Sequence, residues 1–320
     1  MNSFGSKFIV TTFGESHSPA LGGVIDGCPP GVLIDIPFIQ TELARRRGDS
    51  PYTTARKEDD NLEFLSGIYQ GRTIGSPIAY IIRNKQQKSD DYNSLESLYR
   101  PGHGDYTWEQ KYGIRDHRGG GRVSARETVA RVVAGAIAKQ ILQQHNITLQ
   151  ASVVSIGGQT QYNQLLSQTK QEGDTLGGII TCTIKGVSAG MAGTPIFHKL
   201  QARLAAAMLS IPSVTGFEFG EGFAAANLKG SEYIDCWNPD LTTATNHCGG
   251  IQGGISNGMD ITFRVSFHPI VTLPKGIPCA TKDGQTSFIK PDGRHDCCQV
   301  LRAPVIVESM AALTLINDIL

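Results

Sequence analysis

The sequence has no excess of charge of either sign: Lys+Arg and Asp+Glu both number 29 in 320 residues. A nucleic-acid binder normally carries a basic excess over a whole face, so no RNA or DNA partner is expected. Any positive field must be local, as in a pocket for a small anion. The cysteine pattern of a disulfide framework or a zinc site is also missing. The seven cysteines (Cys28, Cys182, Cys236, Cys248, Cys279, Cys297 and Cys298) are odd in number, and no CxxC pair occurs. Reduced thiols and no metal are expected. The first residues lack the apolar run of a signal peptide, and no stretch approaches the roughly 20 apolar residues of a membrane span. A cytoplasmic protein with no membrane partner is the expectation. There is no Pro/Ser-rich linker, no repeat of fixed period and no GxGxxG after a strand. A single large domain over residues 1–320 follows as the default.

Glycine is what the chain has in abundance: 37 residues, well above the usual share of about 7%. The glycines cluster, which suggests loops where backbone approaches a ligand closely. Between the clusters, helix ends are readable. Asp35 caps a helix with Pro37 in its first turn, Ile39 and Leu43 on one face, Arg45, Arg46 and Arg47 in the last turn, and Gly48 after it. Ser124 and Glu127 predict a capping box for a helix running to about Gln144. Thr194 and Pro195 predict a third, with Ile196, Leu200, Leu204 and Met208 as its apolar stripe. A fourth follows Pro304. Period-2 alternation predicts strands at Met259–Phe267, Lys7–Thr12, Leu62–Tyr69, Pro77–Arg83 and Ile179–Ile184. Without a regular βαβ rhythm, the mixture points to an α+β fold.

Five polar, glycine-rich segments break these patterns. Thr12-Phe13-Gly14-Glu15-Ser16-His17 follows a strand and projects a histidine that can donate a proton near neutral pH. Alone, it reads as a capping or surface histidine before it reads as a catalytic one. Arg100-Pro101-Gly102-His103-Gly104-Asp105 fixes a turn around one imidazole, again compatible with a plain turn. The run Arg115 to Arg126 holds three successive glycines, four arginines and the Ser124 cap. A helix N-terminus with guanidinium groups around it suits a phosphate; the bland alternative is a solvated charged loop. Asn246 to Gly258 carries five glycines before a strong strand, which suits either a flexible loop or close approach to a flat or phosphorylated ligand. In Lys290 to Cys297, an aspartate beside Arg and His is either a poised base or a surface ion-pair cluster.

Taken together and in order, these segments resemble the chorismate synthase family from about Phe4 to the C-terminus. The most specific stretches are TTFGESH (Thr11–His17), RPGHGDYTWEQKYGIRDHRGGGRVSARET (Arg100–Thr128), NHCGGIQGGISNG (Asn246–Gly258) and GRHDCC (Gly293–Cys298). The resemblance implies a β-α-β sandwich. It also implies a lyase that removes phosphate from 5-enolpyruvylshikimate 3-phosphate by 1,4-trans elimination, with reduced FMN and no net redox change. It gives catalytic roles to His17 at the leaving phosphate, His103 at the flavin and Asp296 in proton removal. It assigns substrate contacts to Arg46, Arg100, Ser124, Arg126 and Arg294. FMN contacts would come from Arg122, Val123, Ser124, Ile211, Pro212, Gly253, the run His268, Pro269, Ile270, Val271, Thr272, and Arg294. A homotetramer is implied, with reduced flavin from an external flavin reductase. NADPH enters only if the chain is bifunctional, and Arg46 is the one position matched to NADP.

The chain departs from the family pattern at several points. Gly48-Asp49-Ser50-Pro51 stands where Pro-Gly usually follows the arginines, with Pro51 in place of an arginine, in a loop that bears on NADPH use in some members. His268-Pro269-Ile270-Val271-Thr272 replaces a run richer in Lys and Ser, and Cys297 replaces a proline beside Asp296. A non-catalytic anion-binding protein and an inactive relative are the competing readings. Zero net charge opposes the first, and retention of His17, His103 and Asp296 opposes the second.

Overall fold

Two antiparallel sheets enclose a layer of helices. The structure, a computed structural model, describes residues 1–53, 59–85, 92, 95–290 and 296–320. In chain order the elements are β1 (Ser3–Phe4), β2 (Ile9–Phe13), β3 (Ala20–Asp26), α1 (Ile36–Arg47), β4 (Leu62–Phe64), β5 (Ile68–Tyr69), β6 (Arg72–Thr73), β7 (Ile78–Arg83), β8 (Leu98–Tyr99), α2 (Asp105–Tyr112) and α3 (Thr128–Gln144). They continue with β9 (Thr148–Ile156), α4 (Asn163–Gln171), β10 (Gly178–Lys185), α5 (Leu200–Leu209), β11 (Val214–Phe219), α6 (Gly230–Tyr233), β12 (Ile251–Gln252), β13 (Ile255–Ser256), β14 (Ile261–Phe267), β15 (Ile277–Thr281), β16 (Thr286–Ile289) and α7 (Pro304–Ile319).

One sheet has the order β1-β2-β3-β7-β4 and the other β11-β14-β10-β9. Helix α3 packs on the first through β2, β3 and β7, whereas α7 packs on the second through β9 and β10. The two helices also lie against each other, so the layers run sheet, helix, sheet. This is the expected α+β sandwich. The composition of α7 explains its place: nearly every residue from Val305 to Asn317 is buried, as befits a helix apolar all round. Helix α3 is buried almost as completely, from Thr128 to Leu142. No helix among the described residues is long and apolar enough to cross a membrane. The cysteines in the described residues are free thiols.

Several local expectations shift. Asp35 caps α1 as read, its carboxylate accepting from Phe38 N at 2.9 Å, and Gly48 ends the helix. Ser124 instead caps a 3-10 turn, Ala125–Glu127, accepting from Arg126 N at 3.3 Å, and α3 begins only at Thr128. Glu127 does not close a box, because its carboxylate pairs with Arg131 at 2.7 Å. Helix α5 begins at Leu200 rather than near Thr194. Gly193 bridges Ile255, and Leu200 N donates to Gly254 O, so the segment between them runs beside the β12–β13 hairpin. Ile196 and Phe197 therefore sit outside the helix, 66% and 91% exposed. The predicted strand Leu62–Tyr69 divides into β4 and β5 around Gly67, whose φ of +83° bends the chain. Strands β3, β9 and β11 escaped the sequence reading. Gly22 and Gly23 interrupt alternation in β3, and exposed positions interrupt it in β9.

The helical layer contains charge. Lys139 of α3 pairs with both Glu42 of α1 and Glu308 of α7. Arg45 reaches Glu42 at 2.7 Å and grips Glu308 with two N–H groups at 2.7 and 2.8 Å. The remaining capacity of Glu308 is met by Ala151 N of β9 at 2.9 Å. Burial works to raise the Glu308 carboxyl, but Arg45 and Lys139 outweigh it and hold it below 4.5. A buried charge left without its partner is costly, so this node locks α1, α3, α7 and β9 together.

Two outcomes follow. Gly135 of α3 has no room for a side chain: a Cβ there would lie 2.3 Å from Ser309 Cβ and 2.6 Å from Ser309 Cα on α7. Gly135→Ala is expected to destabilise the fold by about 1–3 kcal/mol, read as a lower urea midpoint with an unchanged slope. Glu308→Gln is expected to cost about 3 kcal/mol at neutral pH. Because the folded carboxyl lies below its unfolded value, its contribution is complete above 4.5 and is lost as pH falls through the folded value. The stability gap between wild type and Glu308→Gln should therefore close in acid; a gap that persists there would contradict the ionic account.

Candidate active site

The last turn of α1 delivers Arg46 into the interior, where it is 7% exposed. Its Nη2 donates to Asp60 Oδ2 at 3.0 Å. The other oxygen of Asp60 accepts from Arg126 Nη1 at 2.6 Å, and Arg126 Nε donates to Asn84 Oδ1 at 3.2 Å. Burial lowers Arg46 to about 10, with Asp60 opposing and the neighbouring Arg126 and Arg302 adding to the drop. Burial likewise works to raise Asp60, but Arg46 and Arg126 hold its carboxyl below 3.8. Arg302, just before α7, pairs with Asp296, which is 6% exposed. Three guanidinium groups thus gather at the N-terminal end of α7.

The His17 loop comes to the same region. Asn84 Nδ2 donates to Glu15 O at 3.2 Å and Ser18 O at 2.8 Å. The His17 ring, 7% exposed, meets Ser16 Oγ through Nδ1 at 3.1 Å and stands edge-on to Tyr92 at 4.8 Å. Gly119 closes on it: a Cβ at that residue would lie 2.3 Å from His17 Nδ1, and its φ is +66°. The first of the three glycines therefore serves contact with the imidazole. Arg122 pins the loop, donating to Gly14 O at 3.0 Å and Thr12 Oγ1 at 2.7 Å. Arg100 is held by Asp105 through two bonds of 2.7 Å and by Gly119 O at 2.9 Å. Burial works to raise Asp105, but Arg100 and Arg115 lower it on balance.

His103 sits on the other side of this turn. Its Nε2 lies 2.9 Å from Thr272 Oγ1. Val271 packs on Gly102, leaving less than 3 Å for a Cβ there. Ile270 O accepts from Thr175 Oγ1 at 2.6 Å, and His268 O accepts from Gln299 Nε2 at 3.3 Å. The run His268–Thr272 therefore joins His103 to a cleft lined by Arg46, Ile211, Pro212, Phe267, Gln299 and Arg302. Ser213, at φ +70°, turns the chain after Pro212 and accepts from His268 N at 3.0 Å. Arg131 braces that turn through Ser210 Oγ at 2.8 Å. Val123 is 48% exposed beside Gly104.

Two features of the cleft's lining suit a flavin ring. Ile211, Pro212 and Phe267 offer an apolar wall for a flat ring system. Arg46 Nε is buried without a hydrogen-bond partner, a donor suited to an anionic or carbonyl oxygen. Gly253 is not brought to this cleft. Its hairpin packs on Gly193 and Lys199, near Asp318 at the opposite end of α7, roughly 24 Å along a helix of this length. Arg294 lies outside the described residues. Asp60, Asn84, Gln299 and Arg302 join the site without having been read from the sequence. Asp60 ends an acidic run that reads as solvent-exposed, and no local pattern marks the other three.

A family model described as chorismate synthase matches residues 8–320. The chorismate synthase of Parabacteroides distasonis is 49% identical over 351 residues, covering 100% of this chain and 98% of that protein. That of Flavobacterium psychrophilum is 49% identical over 342 residues, covering 98% and 96%. A crystal structure of a chorismate synthase aligns with a TM-score of 0.76 at 28% identity, over 98% of this chain and 92% of the other. The sheet-helix-sheet fold and a match over nearly the whole length agree: the chain belongs to the chorismate synthase family.

Proposed function

We propose that the cleft at the N-terminal end of α7 is the active site, that FMN is the flavin it takes, and that His17, His103 and Asp296 are its proton-handling groups. The chain is a lyase of the shikimate pathway. It forms chorismate from 5-enolpyruvylshikimate 3-phosphate by 1,4-trans elimination of phosphate, with a reduced flavin and no net redox change. The observation that carries the siting is the gathering of Arg46, Arg126 and Arg302 in a chain of zero net charge. A substrate with one phosphate and two carboxylates needs such a cluster, and guanidinium forks match both groups.

In this reading Arg46 and Arg126 grip the substrate anions, with Arg100 and Ser124 shaping the wall around them. Arg100, tied to Asp105 and Gly119 O, holds the glycine turn against His17. The imidazole of His17, kept in one orientation by Ser16 and Gly119, neutralises charge on the departing phosphate. His103, oriented by Thr272, protonates or steadies the flavin, and Asp296 assists removal of the C6 proton. Ile211, Pro212 and the run His268 to Thr272 would hold FMN, with Arg122 and Val123 at the adjoining turn. Bound in reduced form, FMN supplies electron density to the substrate and a basic ring nitrogen. Arg294 is retained as a contact to substrate and FMN on the family motif alone.

Reduced flavin would come from a separate reductase, since Arg46 is the sole NADP-matched position and Pro51 stands in the loop that bears on NADPH use in some members. We infer a homotetramer in the cytoplasm. Exposed Phe197 and Phe223, 91% and 83%, offer apolar contact area. Assembly would also give the Gly253 hairpin a route to the cleft of another copy.

Mixed anaerobically with 5-enolpyruvylshikimate 3-phosphate and dithionite-reduced FMN, the protein is expected to form chorismate, followed by absorbance, and to form none with oxidised FMN. No product from folded protein at saturating flavin would refute the functional reading. His17→Ala is expected to lower kcat by about 10²–10⁴-fold while the unfolding midpoint stays near that of wild type. With NADPH and FMN alone, no NADPH oxidation is expected; oxidation would make the chain bifunctional.

A further inference from the structure

We propose that Asp60 is a positioning residue for substrate binding, its single carboxylate orienting Arg46 and Arg126 as a two-pronged clamp. This rests on the siting of the active site above and adds a residue whose own contacts are to the arginines. Asp60 is 6% exposed, and each of its oxygens serves a different guanidinium, Oδ2 with Arg46 and Oδ1 with Arg126. The two arginines come from distant parts of the chain, one from the end of α1 and one from the 3-10 turn before α3. A planar carboxylate shared between two planar guanidiniums fixes their relative disposition, which neither backbone segment fixes alone.

The clamp is also set in register with His17. Arg126 Nε donates to Asn84 Oδ1, and Asn84 donates onward to the carbonyls of Glu15 and Ser18 on either side of the imidazole. Arg46 lines the cleft, and its Nε is buried there without a hydrogen-bond partner. Its Nη2 donates to Asp60. The arrangement resembles the outer groups that hold a metal's ligands: the carboxylate aims the residues that do the binding.

The sign of the effect separates positioning from charge balance. A carboxylate beside an anion site repels the anion, so on Coulomb's law alone its removal should tighten substrate binding. Positioning predicts the reverse. With reduced FMN present, Asp60→Asn is expected to raise KM for 5-enolpyruvylshikimate 3-phosphate about tenfold or more, with kcat within about threefold of wild type. The Kd for the same substrate, taken by calorimetry with oxidised FMN, should rise in parallel. A KM and Kd that fall or stay unchanged would overturn the proposal, as would a collapse of kcat at constant KM. If Asp60→Asn does not fold, Asp60→Glu carries the test. It keeps the charge but displaces the carboxylate, so a severalfold rise in Kd supports positioning and an unaltered Kd overturns it. Wild type that binds substrate but forms no chorismate would sink the functional reading while leaving the Kd comparison valid; wild type that binds no substrate would sink both.

Discussion

The ammonium of Lys139, buried between Glu42 and Glu308, is the interaction on which the rest of the structure leans. Helix α1 gives Glu42 to it, α3 the lysine itself and α7 Glu308, to which a backbone N–H of β9 also donates. Apolar packing alone lets helices slide by a ridge with little penalty, because neighbouring grooves are alike. A buried charge does not tolerate that slip, since a lysine separated from its carboxylates would stand uncompensated in the core. Close contact between Gly135 and Ser309 acts in the same direction, by sterics rather than charge. Together they fix where α1 ends relative to α7.

That fixed end matters because Arg45 and Arg46 are adjacent. Arg45 faces the ionic node, and Arg46 faces Asp60 and the cleft. The helix thus converts a rigid core into a placed guanidinium. From Arg46 the order passes through Asp60 to Arg126, through Asn84 to the His17 loop, and through Gly119 and Arg100 to the turn of His103. Each step is a hydrogen bond or a contact too close for a side chain. The glycines of the sequence accordingly have distinct tasks. Gly119 makes room for an imidazole at positive φ, whereas Gly135 makes room for a helix.

Much of this was legible beforehand. Asp35, Pro37 and Gly48 bounded α1 correctly because capping is local chemistry, decided within a few residues. The start of α5 was not legible, because the hairpin of Ile251–Ser256, some fifty residues on, holds the segment before Leu200. Ser124 was recognised as a cap, but for a short 3-10 turn, since Glu127 is claimed by Arg131. At the site, motif residues stood out as polar interruptions with glycine around them. Asp60 and Arg302 did not, because their meaning lies in partners far along the chain. A charged residue in a charged run carries no local sign of burial.

The charge balance of the chain then takes on meaning. With equal numbers of acidic and basic residues, the molecule has no long-range attraction for anions. The field must come from geometry, by placing guanidiniums where water is scarce and opposing carboxylates are fewer. Burial lowers Arg46 only to about 10, so it remains protonated at neutral pH. Arginine suits this task because its charge survives a desolvation that would leave a lysine, starting from a lower value, closer to neutrality. The counter-ions are themselves committed: Asp60 is divided between two arginines, and Asp296 is bound to Arg302. A cleft assembled in this way stays cationic without making the protein so, and Arg46 and Arg302 line it together with Ile211, Pro212 and Phe267.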